Sequence, residues 1–82
     1  QSEEELLKEQ RERLAANGYT DRGSLLKTSP PEFQRQDLGG VRGLLFYKEV
    51  TGETANGHIT RDHLKKIADI VLPQSEEEVR FL

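Results

Sequence analysis

The side chains best suited to acid–base chemistry lie in two runs, Glu3-Glu4-Glu5 and Glu76-Glu77-Glu78. Each follows a serine, Ser2 or Ser75, and Ser-x-x-Glu is the pattern of a helix capping box. Acidic residues in a first turn also complement the positive end of the helix dipole. A carboxylate becomes a useful general acid when burial or a close like charge raises its pKa, and a solvated first turn supplies neither. Both runs are therefore read as caps. His58 and His63 are five positions apart, which does not bring them to one helix face. With no cysteine in the chain and Asp62 the one adjoining acid, they make no zinc set. Ser2, Ser24, Ser29 and Ser75 have no base spaced to activate them, and the seven glycines form neither a GxGxxG nor a P-loop pattern. The chain is expected to have no catalytic residues, to hold no metal or cofactor, and not to be an enzyme.

The elements that position these residues must fit into 82 residues, enough for a single domain spanning 1–82 with one thin core. Apolar and charged residues each make up 33% of the chain, against an ordinary apolar share of roughly 45–50% when glycine is counted. Some apolar surface is therefore expected to be completed by a partner. The net charge of −3, with both signs interspersed, gives no electrostatic footprint for nucleic acid. The longest apolar run, Val41 to Tyr47, is interrupted by Arg42 and Gly43 and is far too short to span a bilayer. The absence of cysteine leaves the compartment open. No methionine occurs, so Gln1 is expected to be a processing point or the boundary of an excerpt.

Local signals predict helices throughout. The first is expected from the Ser2 cap to about Ala16, stopped by Asn17-Gly18, with a sparse apolar stripe (Leu6, Leu7, Leu14, Ala15). Tyr19–Thr28 holds a short helical turn at most. Ser29-Pro30-Pro31-Glu32 combines a cap, a first-turn proline and a second box. Phe33, Val41, Leu44 and Leu45 then keep helical spacing through Gly39, Gly40 and Gly43, each costing about 1 kcal/mol against alanine in a helix. The expected outcome is a break at Gly39-Gly40, with a further segment from about Val41 to Val50; the alternative is that the glycines admit a second backbone. Thr51–Gly57 is a loop. Thr60 caps the next helix, with Ile59 and Leu64 as a hydrophobic staple, and Leu64, Ile67, Ala68 and Val71 form a core-facing stripe ended by Pro73. Ser75 opens another helix. Ala-Asn-Gly occurs at both Ala16 and Ala55, and Gln-Ser-Glu-Glu-Glu at both Gln1 and Gln74, as independent turn and cap solutions. The fold class is all-α, a small orthogonal or bundle-like array of four or five short helices, with Tyr47-Lys48-Glu49-Val50 the best competing strand.

Asn56-Gly57-His58-Ile59-Thr60, followed by Leu64 and Ile67, resembles the second half of an EF-hand. In that family the glycine makes the sharp turn, the isoleucine pairs with a partner loop, and an exit helix follows. The chain departs from the family at the ligand positions, where Gly52, Thr54 and His63 stand in the first, third and last places. Calcium requires hard anionic oxygens there, so the resemblance implies a metal-free, degenerate module that binds a partner helix.

Phe33, Leu38, Val41, Leu44, Leu45, Phe46 and Tyr47 exceed one helical face. Either they form a central helix covered on all sides, or one side meets a partner. At least one of Phe46 and Tyr47 is expected at the surface as an anchor, rimmed by Arg42 and Lys48, with Phe33 and Val41 completing the face. The expected function is a non-enzymatic protein-interaction domain or a small subunit of a larger assembly. Besides the EF-hand-like module, the remaining alternative is a helix-turn-helix nucleic-acid binder reading with Thr60–Leu72.

Overall fold

Side-chain oxygens choose most of the helix starts. In the computed structural model, which describes residues 2–39 and 42–72, Ser2 Oγ accepts from the Glu5 amide at 3.1 Å to open α1 (Glu3–Ala16). Asp21 opens α2 (Arg22–Lys27) and Ser29 opens α3 (Pro30–Arg35) by the same device. Thr60 accepts from the His63 amide to open α5 (Arg61–Val71). The remaining helix, α4 (Leu44–Thr51), has no side-chain cap and follows Gly43, whose φ is +92°. The described residues thus form five helices and no strand. Tyr47–Val50, the competing strand, is helical because it lies inside α4. Val41, Pro73 and the helix expected after Ser75 lie outside the described residues.

The central segment breaks earlier and restarts later than its spacing predicts. α3 stops at Arg35, where Gln36 turns extended, and α4 waits until Leu44. Gly39 (φ +86°), Arg42 (φ +45°) and Gly43 (φ +92°) all lie in left-handed territory, which a continuous right-handed helix cannot include. Both expected roles of the glycines occur, at different positions. Gly39 belongs to the break, whereas Gly43 admits a second backbone: a Cβ there would lie 3.0 Å from Phe33 O and 3.1 Å from Gln34 Cα.

α5 packs against three of the other helices, α1, α2 and α4. Its stripe of Leu64, Ile67, Ala68 and Val71 is wholly buried, and Ile59 of the staple is buried with it. Leu14, Leu25, Phe33, Leu38, Phe46 and Tyr47 complete the interior. The rings interlock, Phe33 edge-on to Phe46 at 6.2 Å and tilted against Tyr19 at 5.5 Å, geometries that aromatic pairs favour. One polar side chain enters this core: Gln10, 1% exposed. Its Nε2 meets Glu49 Oε2 at a weak 3.5 Å, while its Oε1 has no partner.

The two Ala-Asn-Gly copies belong to a longer register. Ala16–Lys27 and Ala55–Lys66 align residue for residue, sharing Ala, Asn, Gly, Arg, Leu and Lys at the same places. The glycines have φ of +92° and +94°. Three residues later come the caps, Asp21 and Thr60, each closed into a capping box, by Ser24 in one and by His63 in the other. Next come buried leucines, Leu25 and Leu64. The shared arginines exchange places: Arg22, at the start of α2, donates to Leu72 O and pairs with Asp69 at the end of α5. Arg61, at the start of α5, donates to Leu26 O and Thr28 O at the end of α2. Each cation thus meets the negative end of the opposite helix.

Candidate functional site

α4 has to be covered from two sides, because α1 and α5 both pack on it. At 100° per residue, Phe46, Tyr47 and Val50 span the arc between those neighbours. Phe46 is 0% and Tyr47 1% exposed, and Phe33 is 0% exposed. The expectation of an aromatic anchor at the surface is therefore overturned: Phe33, Phe46 and Tyr47 are core residues. Their burial follows from the late start of α4, which turns this arc inward, and from the T-shaped contact of Phe46 with Phe33. Of the expected rim, Arg42 and Lys48 are exposed.

Among the described residues the exposed large hydrophobic is Ile70, on α5; on α4, partly exposed apolar surface lies on the opposite arc. Leu44 and Leu45 are half-buried, and with Lys48 they face the turn Thr54–Gly57 across an open hollow of about 220 Å³. Ala55 forms its floor and is 3% exposed. Lys48 makes no ion pair among the described residues, whereas the acids beside it are drawn elsewhere. Glu49 pairs with Arg13 at 3.0 Å, and Glu53 with Lys66 at 3.0 Å.

The loop between α4 and α5 keeps the outline of the resembled hairpin but is held differently. Asn56 (φ +52°) and Gly57 (φ +94°) make the turn, and the exit helix starts after Thr60. Ile59 finds no partner loop among the described residues. Instead the Gln34 carboxamide, from α3, takes both backbone groups: Ile59 N donates to Oε1 at 2.9 Å and Nε2 donates to Gly57 O at 3.4 Å. Only this orientation of the amide satisfies both bonds. At the last ligand position His63 Nδ1 accepts from Thr60 N at 2.9 Å, so it is a cap and half-buried, not a plain surface residue like His58. Its ring lies 4.5 Å from that of Tyr47. Glu53 points across to Lys66 and to the Tyr47 hydroxyl. The Lys66 ammonium holds the Glu53 carboxyl below the usual carboxylate range, and Glu53 in turn holds Lys66 above the usual lysine value. No group of three His, Cys, Asp or Glu side chains comes together to hold a metal ion among the described residues. No helix among them is long and apolar enough to cross a membrane.

The hollow lies on the arc of α4 opposite Phe46 and Tyr47, and of the described residues expected at a partner surface only Lys48 lines it. Thr54 and Ala55, which also line it, are not among the residues that the sequence pattern singles out. The available signal was the repeated Ala-Asn-Gly, which places Ala55 just ahead of a tight turn. The fold and site define a small all-α domain with an apolar hollow on one outer face. Compared with known proteins, the chain matches no family model, no curated protein and no solved structure.

Proposed function

We propose that the chain is a non-enzymatic protein-interaction domain or small subunit of a larger assembly, meeting its partner through the outer face of α4 and the adjoining turn. The observation that carries this is the open hollow between Leu44, Leu45 and Ala55. Its volume of about 220 Å³ is below the roughly 300–1,000 Å³ of small-molecule and cofactor pockets. It suits a single inserted side chain, the usual form of an interface anchor. No pair of titratable groups converges on it, so it offers a substrate nothing to exchange protons with.

Two other readings gain less support. A partner helix in an EF-hand-like groove would need the inner faces of α4 and α5, and these already pack on α1 and α2. A recognition helix at Thr60–Leu72 would need free cations. Yet Arg61 is spent on α2 carbonyls and Lys66 on Glu53, leaving Lys65 between Asp62 and Asp69.

The test is Leu45→Asp. Leu45 is half-buried but does not pack against the core cluster, so this variant should melt within a few degrees of the parent. Captured from the native source and identified by mass spectrometry, partners of the parent chain should be missing from the variant. Recovery of the same partners at the same yield would refute the site.

A further inference from the structure

Resting on that reading, we infer that the partner inserts one large apolar side chain flanked by carboxylates. The evidence is the pattern of charge around the hollow. Lys48 lines it and carries no ion pair among the described residues. The two acids adjoining in sequence, Glu49 and Glu53, do not line the hollow and are paired with Arg13 and Lys66. The one charged side chain lining the hollow is therefore an unpaired cation, in a chain whose net charge is −3. An occupant that covers the hollow also removes water from the Lys48 ammonium, and a desolvated charge is costly unless an opposite charge meets it. Carboxylates beside the apolar anchor supply that charge and speed encounter. A basic partner would place like charges together. A lipid surface fits less well, because juxtamembrane recognition uses clusters of about 4–8 cations, and here Lys48 is the one cation in the lining.

The experiment uses the whole isotope-labelled chain and short synthetic peptides with a central leucine or phenylalanine, flanked by glutamates, glutamines or lysines. Amide shifts report binding. The glutamate-flanked peptides should move Leu44, Leu45, Lys48 and the Thr54–Gly57 turn saturably, and bind about 5- to 10-fold tighter than the glutamine-flanked ones at low salt, as expected for an unscreened charge contact. Lys48→Gln, at an exposed position, should narrow that difference to about twofold or less while leaving the remaining spectrum unchanged. Equal binding of glutamate- and glutamine-flanked peptides, or tighter binding of the lysine-flanked ones, overturns the inference and leaves the hollow as a docking site. Shifts at the hollow from no peptide at all remove the docking site itself. Concentration-dependent self-association abolished by Leu45→Asp would make a second copy the occupant and overturn the inference.

Discussion

Gly43→Ala should be far more damaging than Gly18→Ala, although both glycines share a φ of +92°. An alanine pays a conformational penalty at such a φ of about 1–2 kcal/mol, and this part is common to the two sites. The surroundings differ. At Gly18 an added Cβ would meet nothing within 4 Å, whereas at Gly43 it would lie 3.0 Å from Phe33 O and 3.1 Å from Gln34 Cα. Both of those are backbone atoms, so no side chain can swing aside. Relief requires α3 to move away from the start of α4, which loosens the Phe33–Phe46 contact in the core. Overpacking of that kind typically adds about 1–3 kcal/mol. Gly18→Ala should therefore cost about 1–2 kcal/mol and Gly43→Ala about 2–5 kcal/mol. For a domain of this size the difference corresponds to roughly 5–20 °C in melting temperature. Urea melts of the two variants, read by far-ultraviolet circular dichroism, measure it directly. Equal destabilisation would mean that α3 does not approach Gly43, and the account of the break between α3 and α4 would be wrong.

Other perturbations test separate parts of the structure. Leu64→Ala removes a fully buried side chain at the start of α5 and should cost about 2–4 kcal/mol; a melting temperature within a couple of degrees of the parent would place Leu64 at the surface. Gln10→Met keeps the volume and removes the buried acceptor that has no partner, so a gain of about 1 kcal/mol is expected in denaturant unfolding. A loss would show that the Gln10–Glu49 contact outweighs the orphaned oxygen. On the acid side, the Ser24 amide holds the Asp21 carboxyl below the usual range, and Lys66 does the same for Glu53. Depressed folded values mean stability that is present above pH about 4 and is lost as pH falls through them. Asp21→Asn keeps the capping oxygen without the titration, so its melting temperature should fall less steeply between neutral and acid pH; parallel profiles would remove Asp21 from the acid limb.

What the sequence shows clearly here is what short-range chemistry determines. The caps at Ser2, Ser29 and Thr60, the stop at Asn17-Gly18 and the stripe of α5 each depend on residues within two turns of one another. The break after Arg35 was harder to see. Phe33 keeps helical spacing with Leu44, eleven positions on, yet the ring it meets is that of Phe46, across a turn that Gly39, Arg42 and Gly43 bend back. Which arc of α4 faces inward depends on the placement of α1 and α5, and four consecutive apolar residues carry no periodicity to decide it. Phe46 and Tyr47 are fully buried, Leu44 packs half-buried against the core, and Leu45 stays off it. Burial of Gln10 and the clamp of Gln34 on the Ile59 turn are likewise long-range: their partners lie 39 and 25 positions away.

The exchanged arginines bear on how the molecule comes apart. Helix α2 has six residues, far below the length at which a helix holds together in water unaided. Its last carbonyls are tied by Arg61, on the first turn of α5, while the last turn of α5 is tied by Arg22, on the first turn of α2. Melting α5 from its beginning releases the end of α2, whereas the last turn of α5 is held a second time, by Arg11 Nε on Val71 O. The coupling between the two helices is therefore one-sided, and α2 is the element that opens first. The outer face of α4 contributes to neither clasp, so a partner bound there would leave both arginine contacts in place.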